Sequence, residues 1–170
     1  MPLSGAMLNV SAFGELTQAL DLGTGSAKQS LSKSMSLASG TGAGKADKLF
    51  SDVRTLAASG TEDLDLAGVL LDAFGTAITF ARIKGLVIAA AKENANNVLV
   101  GAASGSPWAT LLNSTGVITL RPGAFLAVGT GLADATGYAV TATTADLLKI
   151  ANSGAGTSVT YSIHIIGASA

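Results

Sequence analysis

Residues 61–91 read TEDLDLAGVLLDAFGTAITFARIKGLVIAAA, and the alternation in this stretch decides the fold class. In Glu62-Asp63-Leu64-Asp65-Leu66 the leucines fall at every second residue. In a strand, Leu64 and Leu66 therefore share one face, and Asp63 and Asp65 the other, wet one. Further on, Ile78, Phe80, Ile83, Val87 and Ile88 form a β-branched and aromatic set. They suit one bent strand, or two short ones broken at Gly85. Between the two runs, Asp72-Ala73-Phe74-Gly75 offers an acidic residue to open a turn and a glycine able to take positive φ. The unit reads as a β-hairpin.

Working outward, the same pattern recurs in shorter pieces. Val98-Leu99-Val100, Val117-Ile118-Thr119-Leu120, Ala124-Phe125-Leu126-Ala127-Val128, Tyr138-Ala139-Val140-Thr141, Leu147-Leu148-Lys149-Ile150 and residues 159–166 are apolar runs bounded by Gly, Pro, Asn or Asp. Each is predicted as a strand. Residues 49–57 carry Phe50, Val53 and Leu56 and predict a further short strand. Arg121-Pro122-Gly123 and residues 152–156 supply turn chemistry at the spacing of an all-β sandwich or barrel. No 3.6-residue stripe runs over three turns, although residues 67–73 could make one helical turn, and no repeat of fixed period stands out. The expected architecture is all-β: an antiparallel β-sandwich or jelly-roll-like barrel over residues 49–170, preceded by an extended, partly flexible N-terminal arm over residues 1–48. In that arm residues 13–20 suit a strand or a short helix, residues 23–48 are dominated by Gly, Ser, Thr, Ala and Lys, and Met35 and Leu37 suit an edge strand.

Composition narrows the function classes. At 170 residues the chain fits one domain, or one domain with an arm. Charged residues make only 12% of it and hydrophobic residues 48%, against about 25% charged in typical soluble proteins. So little charge covers an isolated monomer poorly, and the expectation is self-association, as a homodimer or homotrimer, or seating in a lattice. The net charge of −1 provides no basic field for nucleic acid, so none is expected as a partner. With no cysteine there is no disulfide framework. The first residues lack a basic region followed by a continuous apolar run, and no apolar stretch approaches the roughly 20 residues that span a bilayer. No membrane partner is expected, and the chain reads as made in the cytoplasm.

Candidate chemistry is sparse. Gly40-Thr41-Gly42-Ala43-Gly44-Lys45 invites comparison with a phosphate loop. A Walker loop, however, needs glycine where Ser39 stands and Ser or Thr where Ala46 stands, so a plain loop is favoured. Asp63, Asp65 and Asp72 raise calcium, a cation that wants six to eight oxygens; Ala67 replaces the third ligand of a calcium loop and Phe74 its closing glutamate, and an exposed strand face is the better reading. His164 is the one histidine, which with the lack of cysteine excludes zinc and Cys/His chemistry by inventory. No Gly-x-Ser-x-Gly elbow supports a triad, since Gly101-Ala102-Ala103-Ser104-Gly105 has the wrong spacing. Trp108, Tyr138 and Tyr161 suit core packing over a carbohydrate surface. Asn9-Val10-Ser11 and Asn113-Ser114-Thr115 match glycosylation acceptors, which carry meaning only in a secreted chain. No catalytic, cofactor-binding or metal residues are expected, no cofactor, and no enzymatic activity.

Arg54-Thr55-Leu56-Ala57-Ala58-Ser59-Gly60-Thr61-Glu62-Asp63-Leu64-Asp65-Leu66-Ala67-Gly68, then Phe80-Ala81-Arg82-Ile83-Lys84-Gly85, Leu120-Arg121-Pro122-Gly123-Ala124 and residues 146–157 resemble small proteins encoded among the structural genes of tailed bacteriophages. The likeness covers residues 49–170. It implies a β-sandwich on the virion, a capsid decoration or cement protein whose partner is the major capsid protein, and it carries over no catalytic or ligand residues. A tail or fibre-associated protein that binds the host surface is the alternative.

Overall fold

The computed structural model describes residues 3–170, and among them no residue is helical. Fourteen strands form in chain order: β1 (Ala6–Leu20), β2 (Gly23–Ser39), β3 (Lys45–Ala46), β4 (Lys48–Leu56), β5 (Thr61–Asp65), β6 (Leu70–Leu71), β7 (Ala77–Ile78), β8 (Arg82–Ala90), β9 (Val98–Gly101), β10 (Val117–Leu120), β11 (Phe125–Gly129), β12 (Tyr138–Ala139), β13 (Leu147–Asn152) and β14 (Val159–Ala168). Two antiparallel sheets carry the body. One has the order β10-β9-β13-β5, the other β11-β8-β14-β4 with β12 beside β8.

Strand alternation sends one row of each sheet into a shared core. From the first sheet come Leu64, Val98, Val100, Leu120, Leu148 and Ile150; from the second, Phe50, Leu86, Ile88, Val159, Tyr161, Ile163 and Ile165. These two inner faces interdigitate as in a β-sandwich. Trp108 plugs the side of the core, edge-on to Tyr138 with ring centroids 6.3 Å apart, and its indole N–H donates to the Ala139 carbonyl at 2.9 Å. Core packing, not surface display, is the role of Trp108 and Tyr161.

The stretch 61–91 is not one hairpin. Its first run, β5, pairs with β13, while its second, β8, pairs with β14 and β11 in the opposite sheet. The chain crosses the core between them. The turn lies where the sequence predicts it: Asp72 accepts hydrogen bonds from the Phe74 and Thr76 amides at 2.9 Å each, and Gly75 has φ +78°. That turn closes the small hairpin β6–β7. Residues 66–69 make a hydrogen-bonded turn, not a helical one.

The break expected at Gly85 is a β-bulge. Ile166 pairs with Gly85 and Gly167 with Ile83, so Lys84 is the extra residue on β8. The bulge turns Lys84 inward, fully buried, where its ammonium donates to the Asp134 carbonyl at 2.6 Å and tethers the loop after β11. Burial holds the Lys84 pKa below its ordinary value, against the pull of the Asp134 charge.

Candidate functional site: a projecting two-stranded ribbon

The candidate site lies in the ribbon β1–β2. The two strands pair antiparallel without interruption from Ala6↔Leu37 to Leu20↔Gly23, closed by the two-residue turn Asp21-Leu22. Only the base of the ribbon touches the body. There Met35 and Leu37 are buried with Ala46 and Ile166, and Leu3, Ala6, Leu8 and Leu49 pack around them. Two glycines permit this approach: a Cβ on Gly85 or on Gly129 would stand 3.1 Å from the Met35 methyl or the Leu8 side chain respectively. The ribbon base therefore lies flat on the outer face of the second sheet.

Beyond Val10 the ribbon leaves the body, and register sorts its residues onto two unlike faces. Cα partners point the same way, so one face carries Leu8/Met35, Val10/Lys33, Ala12/Leu31, Gly14/Gln29, Leu16/Ala27, Gln18/Gly25 and Leu20/Gly23. The other carries Asn9/Ser34, Ser11/Ser32, Phe13/Ser30, Glu15/Lys28, Thr17/Ser26 and Ala19/Thr24. The first face holds the leucines, with Gln18, Gln29 and Lys33 among them, and continues the face that is buried at the base; the second is hydroxyl-rich, with Glu15 opposite Lys28 and one large apolar residue, the exposed Phe13. Leu16 is 71% exposed, Leu31 62% and Leu20 59%, and Leu22 at the tip is bare. Eleven residues from Val10 to Leu20 make a projection about 37 Å long.

Where the apolar face emerges from the body a notch of about 450 Å³ opens, lined by Leu8, Val10, Lys33 and Met35 on the ribbon and Ala127, Gly129 and Leu132 on the body. A smaller cleft lies by Leu3, Leu49, Phe74 and Ile78, with Phe74 exposed on its rim. The cleft also carries Asp47, Lys48, Ser51, Asp72 and Thr76 on its wall, whereas the notch is lined mainly by apolar and small residues, with Lys33, Ser34 and Thr130 as its polar side chains.

The sequence candidates for chemistry are scattered and satisfied. In the glycine-rich loop two amides are used internally, Gly40 N–H donating to Ala46 O and Lys45 N–H to Gly42 O, and the Gly44 carbonyl accepts from Ala38 N–H. Asp65 accepts from the Ala67 amide and Asp72 caps its own turn, and no cluster of three metal-ligating residues occurs among the described residues. His164 lies on the outer face of the second sheet between Ser51 and Val87, with its pKa lowered by burial. Asn113 is used locally, accepting from the Thr115 amide and hydroxyl.

One partly buried polar constellation was missed by sequence reading. The Tyr161 hydroxyl donates to Glu62 Oε1 at 2.6 Å, Arg54 donates to Glu62 Oε2, and Arg54 Nε donates to Asp52 Oδ2 at 3.0 Å. Burial pushes the Tyr161 phenol far above its ordinary pKa, with the Glu62 hydrogen bond adding to it. Burial opposes the Arg54 charge, yet the hydrogen bond and charge of Glu62 outweigh it and raise the guanidinium pKa above its ordinary value. The hub ties β5 of one sheet to β4 and β14 of the other and presents no free nucleophile or base. In comparisons with protein-family models, curated proteins and solved structures, nothing matches this chain.

Proposed function

We propose that the chain is a structural subunit of a tailed-bacteriophage virion, a decoration or cement protein that binds between major capsid subunits and stabilises the shell. It is a non-catalytic role. The observation that carries it is the ribbon: an ordered projection whose apolar face, with Leu16, Leu20 and Leu31 bare to solvent, is built for burial against another protein. Three further features support the reading. Charged residues are only 12% of the chain; among the described residues no buried side-chain N or O is left unpartnered; and the segments 54–68, 80–85, 120–124 and 146–157 resemble tailed-phage structural proteins.

The mechanism is burial multiplied by copy number. Each contact of a decorating subunit is modest, at roughly 25 cal/mol per Å² of apolar area. Many subunits on one shell turn such contacts into a strong collective hold.

The test is quantitative mass spectrometry of purified particles, with the major capsid protein as reference. Copy numbers on the order of hundreds support decoration, as multivalent stabilisation requires. A few dozen copies replace it by the tail or fibre reading, and absence from particles overturns both.

A further inference from the structure

We infer that the apolar face of the ribbon is the docking surface for the same face of a second copy of this chain, the two ribbons lying antiparallel about a two-fold axis. This rests on the assembly role given to the ribbon above, but not on the particle to which the assembly belongs.

The register of the ribbon carries the argument. Outward from Ala12, rows on the apolar face pair one large side chain with one small one: Ala12 with Leu31, Gly14 with Gln29, Leu16 with Ala27, Gln18 with Gly25, Leu20 with Gly23. Such a face has knobs and gaps, and tight layers form when knobs meet gaps. Consider a second ribbon laid face to face with a two-fold axis across the strands, between Gly14 and Leu16. Leu16 of each copy then lies over Gly14 of the other, and Gln18 over Ala12. On the second strand Leu31 comes over Gly25, beside the Leu20 side chain that already leans on that glycine. Gln29 comes over Ala27 and Lys33 over Gly23. Leu20 meets Val10, apolar on apolar. No large residue of one ribbon opposes a large residue of the other except at that apolar end.

The tip fits the same arrangement. The body stands on the apolar side of the ribbon base, so a partner ribbon running towards it ends at the notch. Leu22 of the partner arrives at the mouth of that notch, beside Val10 and Leu132, which line it. Asp21 of the partner arrives beside Lys33, opposite in charge. A parallel arrangement, with both bodies at one end, is excluded because each body would occupy the place of the other ribbon's base.

A second copy is favoured over a bilayer as occupant. Along the projection both ribbon edges leave backbone N–H and C=O groups unpaired, which hydrocarbon does not tolerate and a protein interface with water at its rim does. The face measures about 37 Å by 10 Å, hence about 740 Å² of projected area for the pair. That is below the roughly 1,200 Å² of a stable standard interface, which places the dimer among weak, reversible associations.

Sedimentation velocity of the full chain between about 1 and 100 µM is the test, the range that such an interface sets. The expected result is a monomer–dimer equilibrium. Leu16→Lys, exposed in the monomer and doubled at the two-fold axis, weakens it at least about a hundredfold; Thr17→Lys, on the hydroxyl-rich face, leaves it unchanged. Register is read separately in Ala12→Cys/Gln18→Cys, since the chain has no cysteine of its own and the two sites lie about 20 Å apart within one strand. A short bis-maleimide is expected to give covalent dimer alone. A wild-type monomer throughout the range, a dimer equally weakened by Thr17→Lys, or a cross-linked ladder beyond dimer each overturns the proposal. A monomer that is still abundant in particles overturns the ribbon pairing alone, and a dimer absent from particles overturns the virion reading alone.

Discussion

At the scale of single residues, the Tyr161–Glu62–Arg54 hub shows how a charge-poor protein spends its few charges. Glu62 sits on the inward face of β5, two residues from the buried Leu64, and meets the phenol of a wholly buried tyrosine. A buried hydroxyl without its acceptor carries its full desolvation cost, so the bond matters more for what its loss exposes than for its own strength. Tyr161→Phe removes the donor and is expected to cost about 1–2 kcal/mol. Urea denaturation checks it, and a double-mutant cycle with Glu62→Gln should show coupling between the two sites. Additive losses would mean that the hydroxyl and the carboxylate act independently. This pairing was half legible. The alternation that set Leu64 and Leu66 on the inner face also set Glu62 there, yet nothing in the local pattern names a tyrosine 99 residues away as its partner.

At the scale of elements, β14 is the spine of the second sheet, paired along its length with β4 on one side and β8 on the other. Gly167 faces the bulge that Lys84 makes in β8. A Cβ at Gly167 would come within 2.5 Å of both the Arg82 carbonyl oxygen and the Phe80 ring. Phe80 is buried and the carbonyl belongs to the neighbouring strand, so neither can give way cheaply. Gly167→Ala is expected to lower stability by about 2–3 kcal/mol, measured as a lower thermal midpoint with the β-rich circular dichroism spectrum retained. An unchanged midpoint would show that β8 shifts freely at the bulge. Strands were the most legible part of the chain, because period-2 runs between glycines and prolines are local signals. Their partners were not. Residues 61–91 hold the right strands and the right turn at Asp72, but β5 and β8 went to opposite sheets, since pairing is settled by which faces meet across the core, and alternation within a run names only the face. The ribbon's two-faced character is likewise a property of register: Leu16 and Leu31 join one face only once Ser11 is set against Ser32.

At the scale of the whole molecule, sparse charge leaves the acid response of the fold to few groups. His164 is the sole histidine, and its burial on the outer face of the second sheet holds its pKa below 6.5. The unfolded chain therefore binds that proton more tightly than the folded one, and in the window between the two values the unfolded state carries more protons. Stability from this group rises with pH through the window, is fully present above about 6.5 and is lost as the pH falls beneath it. The carboxylates act lower. Asp72 and Asp134 are held below 3.8 by hydrogen bonds from backbone amides, first from Thr76 and Gly137 respectively, so their contribution persists until the pH falls through those depressed values. Two separated declines are thus expected in the urea midpoint on acidification, one beginning near about pH 6.5 and one below about pH 4, with a level region above about pH 7. His164→Gln keeps a polar side chain of similar size, and it is expected to abolish the first decline while leaving the second in place. A first decline that survives the substitution would assign it to another group, and a level midpoint from about pH 8 to 5 in the native chain would mean that His164 is as well hydrated folded as unfolded.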